Sequence, residues 1–243
     1  MSMEPRATAN GRPSFTSKSL FRFRCHDALP CFTQCCRDVN IFLTPYDVLR
    51  LRRALNMSSS EVLNRYTMNY LAGAGQIPVV QLAMDPETLY CKLVTEEGCS
   101  VYGDRPWACR MYPLDLASRD GEYTLITGKE RCLGLLENSS MTVDDWLAEQ
   151  GVESYVLMEQ AFHSVMPEEF QPGKTMAPGL GKILFLAYDL DRFADLLEDS
   201  KVRSFYEIDE DLLNRTREDQ EFLLRLAFQY IRNQLEELFE NMS

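Results

Sequence analysis

The segment Cys25-His-Asp-Ala-Leu-Pro-Cys31-Phe-Thr-Gln-Cys35-Cys36 decides how the rest of the chain is read. Four cysteines crowd into it with neither helical nor strand periodicity, which predicts a loop held by whatever its thiols bind. Working outward, the other four cysteines are Cys91, Cys99, Cys109 and Cys132, so all eight lie before residue 133. Charge divides at the same place. Residues 1–132 carry 16 basic and 14 acidic side chains, whereas residues 133–243 carry 9 and 23. The net charge of −12 is therefore a property of the half that has no thiols.

Several function classes fall away. An acidic chain without a basic stripe repels phosphates, which argues against nucleic-acid binding. The longest apolar run, Ile183 to Tyr188, is far shorter than the roughly 20 residues a spanning helix needs, so no membrane association is expected. The first 20 residues are polar, with Arg6, Arg12 and Lys18 and no apolar core, so no signal peptide is expected. The expected location is cytoplasmic, where thiols stay reduced. In that setting eight cysteines read as metal ligands before disulfides.

The expected fold class is mainly α with a few short strands, a cysteine-rich metal-binding module followed by a helical extension. Residues 1–19 read as a flexible arm, 20–134 as the metal-binding module, and 135–243 as an acidic helical extension packed on it. Thr44 as N-cap with Pro45 at the first helical position predicts a helix carrying Val48, Leu49, Leu51 and Leu55. Ser58-x-x-Glu61 is a capping box that opens a second helix to about Leu71. Residues 77–84 and 122–127 read as strands. Helices are expected over 142–149, 152–165, 180–199 and about 209–240.

Thiolate is the ligand form of cysteine, and soft sulfur selects zinc or iron–sulfur clusters over magnesium or calcium. Only His26 and His163 are present, so a site must be mainly thiolate, with His26 as a reserve ligand. Eight thiols fill two four-ligand sites, or one site with four left over. Adjacent Cys35 and Cys36 are expected to point apart, a hint of two centres or of one ligand beside a supporting thiol. Four cysteines have an arginine next door, at Arg24-Cys25, Cys36-Arg37, Cys109-Arg110 and Arg131-Cys132. Guanidinium groups there offset the negative charge of a four-thiolate centre.

Taken together, Cys35-Cys36 after two earlier cysteines, Cys91-Lys-Leu, Cys99-Ser-Val-Tyr-Gly-Asp-Arg-Pro-Trp-Ala-Cys109-Arg-Met-Tyr-Pro and then Cys132 resemble the CxxCxxCC cysteine-cluster family. The resemblance spans about residues 21–134, and all eight cysteines find counterparts. The spacers departing most from the family flank Cys31, which leaves Cys25 the least typical position. The resemblance implies a zinc- or iron-chelating domain with Cys25, Cys31, Cys35, Cys36, Cys91, Cys99, Cys109 and Cys132 as ligands of an iron–sulfur cluster, of the [4Fe–4S] type, or of zinc. Because relatives of the family include flagellin lysine N-methylases, it also admits an S-adenosylmethionine-dependent methyltransferase acting on a basic protein, though no local motif for that cofactor is found.

Arg105-Pro106 reads as a turn joining Cys99 to Cys109, because proline fixes its own φ and extends the residue before it. Arg105 and Arg110 are candidate donors to cluster sulfur or to an anionic substrate. Tyr102 and Tyr112 read as packing residues. Gly173-Lys174-Thr175 ends like a phosphate-binding loop, but Glu168 occupies the first glycine position. Catalytic residues are not identifiable. Three functions follow: a metal-binding protein with a structural or redox centre, the methyltransferase, and a zinc-stabilised interaction module whose acidic helices dock a basic partner.

Overall fold

The computed structural model describes residues 6–7, 13–73, 77–117, 121–166 and 179–240. Along the chain, β1 (Arg6–Ala7), β2 (Pro13–Phe15) and β3 (Leu20–Arg22) precede helices α1 (Pro45–Leu55) and α2 (Ser59–Tyr66). The hairpin strands β4 (Thr67–Ala72) and β5 (Ile77–Leu82) follow, then the short pair β6 (Val94–Thr95) and β7 (Gly98–Cys99), and helix α3 (Trp107–Met111). Strands β8 (Leu114–Leu116), β9 (Tyr123–Leu125) and β10 (Ser140–Thr142) lead into α4 (Val143–Glu149) and α5 (Glu153–His163). The chain ends in α6 (Leu180–Phe185), α7 (Leu190–Glu198), α8 (Ser200–Phe205), α9 (Glu210–Glu218) and α10 (Gln220–Glu240). The fold is mainly α, with short antiparallel strand pairs.

Two compact units are present, and both are discontinuous in sequence. One gathers residues 1–41 and 84–155, the other 42–83 and 156–243. The boundaries expected near residues 19 and 134 do not coincide with these units. The first unit contains every cysteine. Its sheet runs in the order β1-β2-β9-β8, and β10 pairs with β3. Phe15, Phe21, Phe23, Met111, Leu114, Leu135 and Trp146 build its core, with Phe23 and Trp146 edge to face at 5.0 Å between ring centroids. The expected flexible arm is thus corrected at its inner end. Ser14 and Phe15 pair with β9, and Phe15 is buried.

In the second unit both helix starts follow the capping logic. Thr44 Oγ1 accepts from the Asp47 amide while Asp47 accepts from the Thr44 amide, and Ser58 and Glu61 repeat the exchange. The second helix stops at Tyr66 rather than near Leu71, because Thr67–Ala72 forms a full antiparallel ladder with Ile77–Leu82. β-Branched Thr67 stays buried at the changeover, its hydroxyl donating back to the Leu63 carbonyl. The helices expected at 180–199 and 209–240 are each interrupted by aspartate. Asp189 caps α7, and Asp219 accepts from the amides of Glu221 and Phe222 at the start of α10.

Asp189 also anchors a polar knot. It accepts from the hydroxyls of Ser59 (2.8 Å) and Ser60 (2.8 Å), while Asp191 accepts from Ser59 Oγ (2.6 Å) and pairs with Arg52 (2.9 Å). The fully buried Ser59 and the buried Asp189 join α2 to the start of α7. Replacing Asp189 by Ala removes a helix cap and the acceptor of buried hydroxyls, at an expected cost of about 2 kcal/mol. A urea midpoint unchanged in that variant contradicts the assignment. Among the described residues, no helix is long and apolar enough to cross a membrane.

Candidate metal centre

The first cysteine segment is a series of tight turns. Leu29, Phe32, Gln34 and Cys36 each donate their amide to a carbonyl three residues back, and Gln34–Cys36 completes a single 3-10 turn. Two backbone seams attach this segment to the remaining cysteines. The Arg24 amide donates to the Gly134 carbonyl (3.0 Å), and the Cys91 amide donates to the Cys36 carbonyl (2.8 Å). Gly134 is required at the first seam, since a Cβ there would lie 2.7 Å from the Arg24 carbonyl oxygen. Cys99 pairs with Val94 in the β6–β7 hairpin, whose Gly98 has φ +114 and packs on the Phe32 ring. α3 carries Cys109, and Cys132 opens the turn against Leu135.

All eight cysteines are free thiols in one unit, and backbone amides lie near several sulfurs. The Leu133 amide donates to Cys31 Sγ at 3.3 Å. Nearby backbone amides, of Leu93 at Cys91, of Val101 at Cys99 and of Gly134 and Leu135 at Cys132, pull those thiols downward. At Cys91, Cys99 and Cys132 such an amide lies two residues ahead. Hydrogen bonds of this kind favour thiolate over thiol.

Burial works against them. It pushes up the thiols of Cys91, Cys99 and Cys132. Cys25, whose residue surface remains exposed, is raised to about 11 by desolvation of its sulfur and then by neighbouring Cys35, Cys132 and Cys31. Interaction between the adjacent thiols of Cys35 and Cys36 lowers that of Cys35 and raises that of Cys36.

Arg105 is the cation that these thiols feel. Its charge favours the thiolates of Cys25, Cys35 and Cys99, after the larger contributions of burial and hydrogen bonding. The guanidinium lies 4.1 Å above the Tyr102 ring and donates to Gln150, while its buried Nε has no partner among the described residues. Arg110 plays a different part. Buried against Tyr155, it donates to the carbonyls of Arg105 (3.0 Å), Gln150 (2.5 Å) and Gly103. It therefore braces the loop that presents Arg105. Arg37 donates to the Thr88 carbonyl.

Two further residues differ from their sequence reading. Tyr112 does more than pack: burial first, and then the neighbouring Cys132 thiol, push its hydroxyl well above the usual tyrosine value. His26 turns to Glu137 at 3.6 Å, and His163 pairs with Glu159 in the other unit, so neither joins the thiols. A polar tyrosine and a bracing arginine leave no trace in residue spacing, which is why only their motif hinted at them.

As the side chains stand, no three His, Cys, Asp or Glu among the described residues lie close enough to share one ion. The donor chemistry nevertheless fits a thiophilic metal or cluster: free soft sulfurs, amides beside them, and one arginine over them. No curated protein and no solved structure matches the chain. A family model does match, over residues 24–135, under the description "Putative zinc- or iron-chelating domain". That span runs from the residue before Cys25 to three residues past Cys132, so the match to the CxxCxxCC family covers all eight cysteines.

Proposed function

We propose that this protein holds an iron–sulfur cluster of the [4Fe–4S] type on its cysteine thiolates, in a structural or redox role. The observation that carries the reading is the Leu133 amide donating to Cys31 Sγ at 3.3 Å in a unit whose eight cysteines are all free thiols. A buried neutral thiol gains little from such a donor, whereas a metal-bound thiolate is stabilised by it. The spacing supports a cluster over a single zinc ion. The thiols are near enough to feel one another, yet among the described residues no three His, Cys, Asp or Glu lie close enough to share one ion. In a polynuclear cluster each iron takes its own thiolate, so the ligands stand farther apart.

When bound, such a cluster supplies one-electron redox chemistry and a rigid cross-link. The chain's residues do the rest. Arg105 compensates the thiolate charge, Arg110 holds the Arg105 loop in place, and Tyr112 stands beside the Cys132 sulfur. The deciding experiment is anaerobic purification with iron, sulfide and zinc analysis and visible spectroscopy. A brown protein with equal iron and sulfide is expected, and it should lose both in the Cys35→Ser and Cys109→Ser variants. Colourless protein with stoichiometric zinc moves the assignment to zinc. Full metal content in both variants overturns chelation by these thiols.

A further inference from the structure

The first unit also carries a cleft of about 720 Å³ that no cysteine lines, of the size that takes a small organic molecule. Phe15, Phe21 and Leu135, all buried core residues, close its base. Leu125 and Ile126 extend the apolar surface beyond the end of β9. Ile126 stays 41% exposed, although its amide is fixed on the Pro113 carbonyl at 3.1 Å. Concave apolar surface with a few polar groups at its edge is the usual form of a ligand site.

The edge of this cleft is cationic. Arg22, Lys129 and Arg131 line it, all three exposed, against the single carboxylate of Glu130 among the described lining residues. The side chains of these cations make no hydrogen bond, ion pair or ring contact among the described residues. Glu130 neutralises none of them, because its carboxylate folds back over Gly128, where any Cβ would collide with it. Arg22 comes from β3, and the other two from the turn between β9 and Cys132. That turn is closed by the Gly128 carbonyl, which accepts from the amides of Arg131 (3.2 Å) and Cys132 (3.0 Å). On a chain of net charge −12, three uncompensated cations around one apolar hollow run against the general charge and complement an anion.

We infer that the cleft binds a small amphipathic organic anion, its apolar body on Leu125, Ile126 and the phenylalanine base and its carboxylate, sulfonate or phosphate among Arg22, Lys129 and Arg131. Arginine at two of the three positions suits an oxyanion held through two oxygens. The inference is independent of chelation by the thiols. It places the ligand on the turn that leads into Cys132, and it gives Arg131 a partner other than the neighbouring thiol.

The test uses the full chain as purified and a matched pair of dyes, 8-anilinonaphthalene-1-sulfonate and the uncharged N-phenyl-1-naphthylamine. The sulfonate should bind saturably and about tenfold more tightly than the neutral dye, with an affinity that falls as sodium chloride is raised. In the Arg22→Gln, Lys129→Gln double variant the sulfonate should bind about tenfold more weakly while the neutral dye is unaffected. In Ile126→Glu both dyes should be lost. Absence of saturable sulfonate binding overturns the inference, and so does equal binding of the two dyes or binding that the variants leave unchanged. Association with phosphatidylserine vesicles in place of saturable dye binding assigns the cationic edge to a membrane and overturns it as well. Because the dye preference and its salt dependence are read on the wild-type chain, the test stands even where a variant fails to fold.

Discussion

Stripping the loaded protein with a chelator under reducing conditions is expected to unfold the unit formed by residues 1–41 and 84–155, while helical circular dichroism from the other unit persists. The first unit has little else to hold it. Its described strands are two or three residues long, and its main core cluster holds ten buried residues, Cys132 among them. A structural four-thiolate site contributes on the order of 10 kcal/mol to folding, comparable to the whole stability of a small domain. The second unit has its own buried core, with Leu49, Leu51, Phe193, Leu224 and Ile231 almost fully enclosed, and the long helix α10. Both tryptophans, Trp107 and Trp146, belong to the first unit, so their fluorescence reports it alone. The expected result is a red-shifted tryptophan emission with most helical ellipticity retained. An emission spectrum unchanged after complete metal removal contradicts it.

The pH response should carry opposite signs in the two forms. In the metal-free chain the Cys25 thiol is raised from 9.0 to about 11, and Cys91, Cys99 and Cys132 also shift upward. A group whose folded pKa exceeds its unfolded value stabilises the fold fully below the unfolded pKa. That contribution is lost as pH rises, here between about 9 and about 11 for Cys25. In the loaded chain the same thiols must stay ionised, so protons compete with metal and stability falls toward acid. Thermal melts of both forms across this range check the reversal.

Replacing Arg110 by Met is the second large effect, expected to cost about 3–5 kcal/mol and to lower metal occupancy together with stability. Methionine fills much of the volume against Tyr155 but donates nothing. The carbonyls of Gly103, Arg105 and Gln150 then lose a charged donor in a buried place. Two of them belong to the loop that positions Arg105, so the damage reaches the thiols without removing any ligand. Lysine should rescue only in part, because an ammonium lacks the planar fork that spans three acceptors. Equal urea midpoints and equal metal content in the wild-type and Arg110→Met chains would falsify the bracing role.

The parts of this structure legible in the sequence are those fixed by local chemistry. Thr44-Pro45 and Ser58-x-x-Glu61 announce their helices because a capping box is satisfied within four residues. The strand Thr67–Ala72 was not legible, since its stability comes from pairing with Ile77–Leu82 rather than from alternation; four of its six residues are exposed. The breaks at Asp189 and Asp219 were hidden in otherwise helical runs, because an aspartate becomes a cap only when its side chain turns back to the backbone. At the candidate site the thiols were plain, and the arginines beside them in sequence drew attention as compensating charge. The structure gives that place to Arg105, which is adjacent to no cysteine but reaches three of them through the fold.

The discontinuity of the two units has a consequence for affinity. The chain between Cys36 and Cys91 departs into residues 42–83, which fold with the other unit and return. The ends of that excursion are pinned to each other, with Phe42 bridged to Gln81 and the Leu43 amide on the Val80 carbonyl at 2.8 Å. Left unfolded, a segment of roughly fifty residues would impose a loop-closure entropy of about 3–4 kcal/mol on any ligand set that spans it. Folded, it acts as a short staple that sets a high effective concentration of Cys91 beside Cys36. Damage to α1 or the β4–β5 hairpin, which contain no thiol, would therefore weaken metal binding by about two to three orders of magnitude through chain statistics alone.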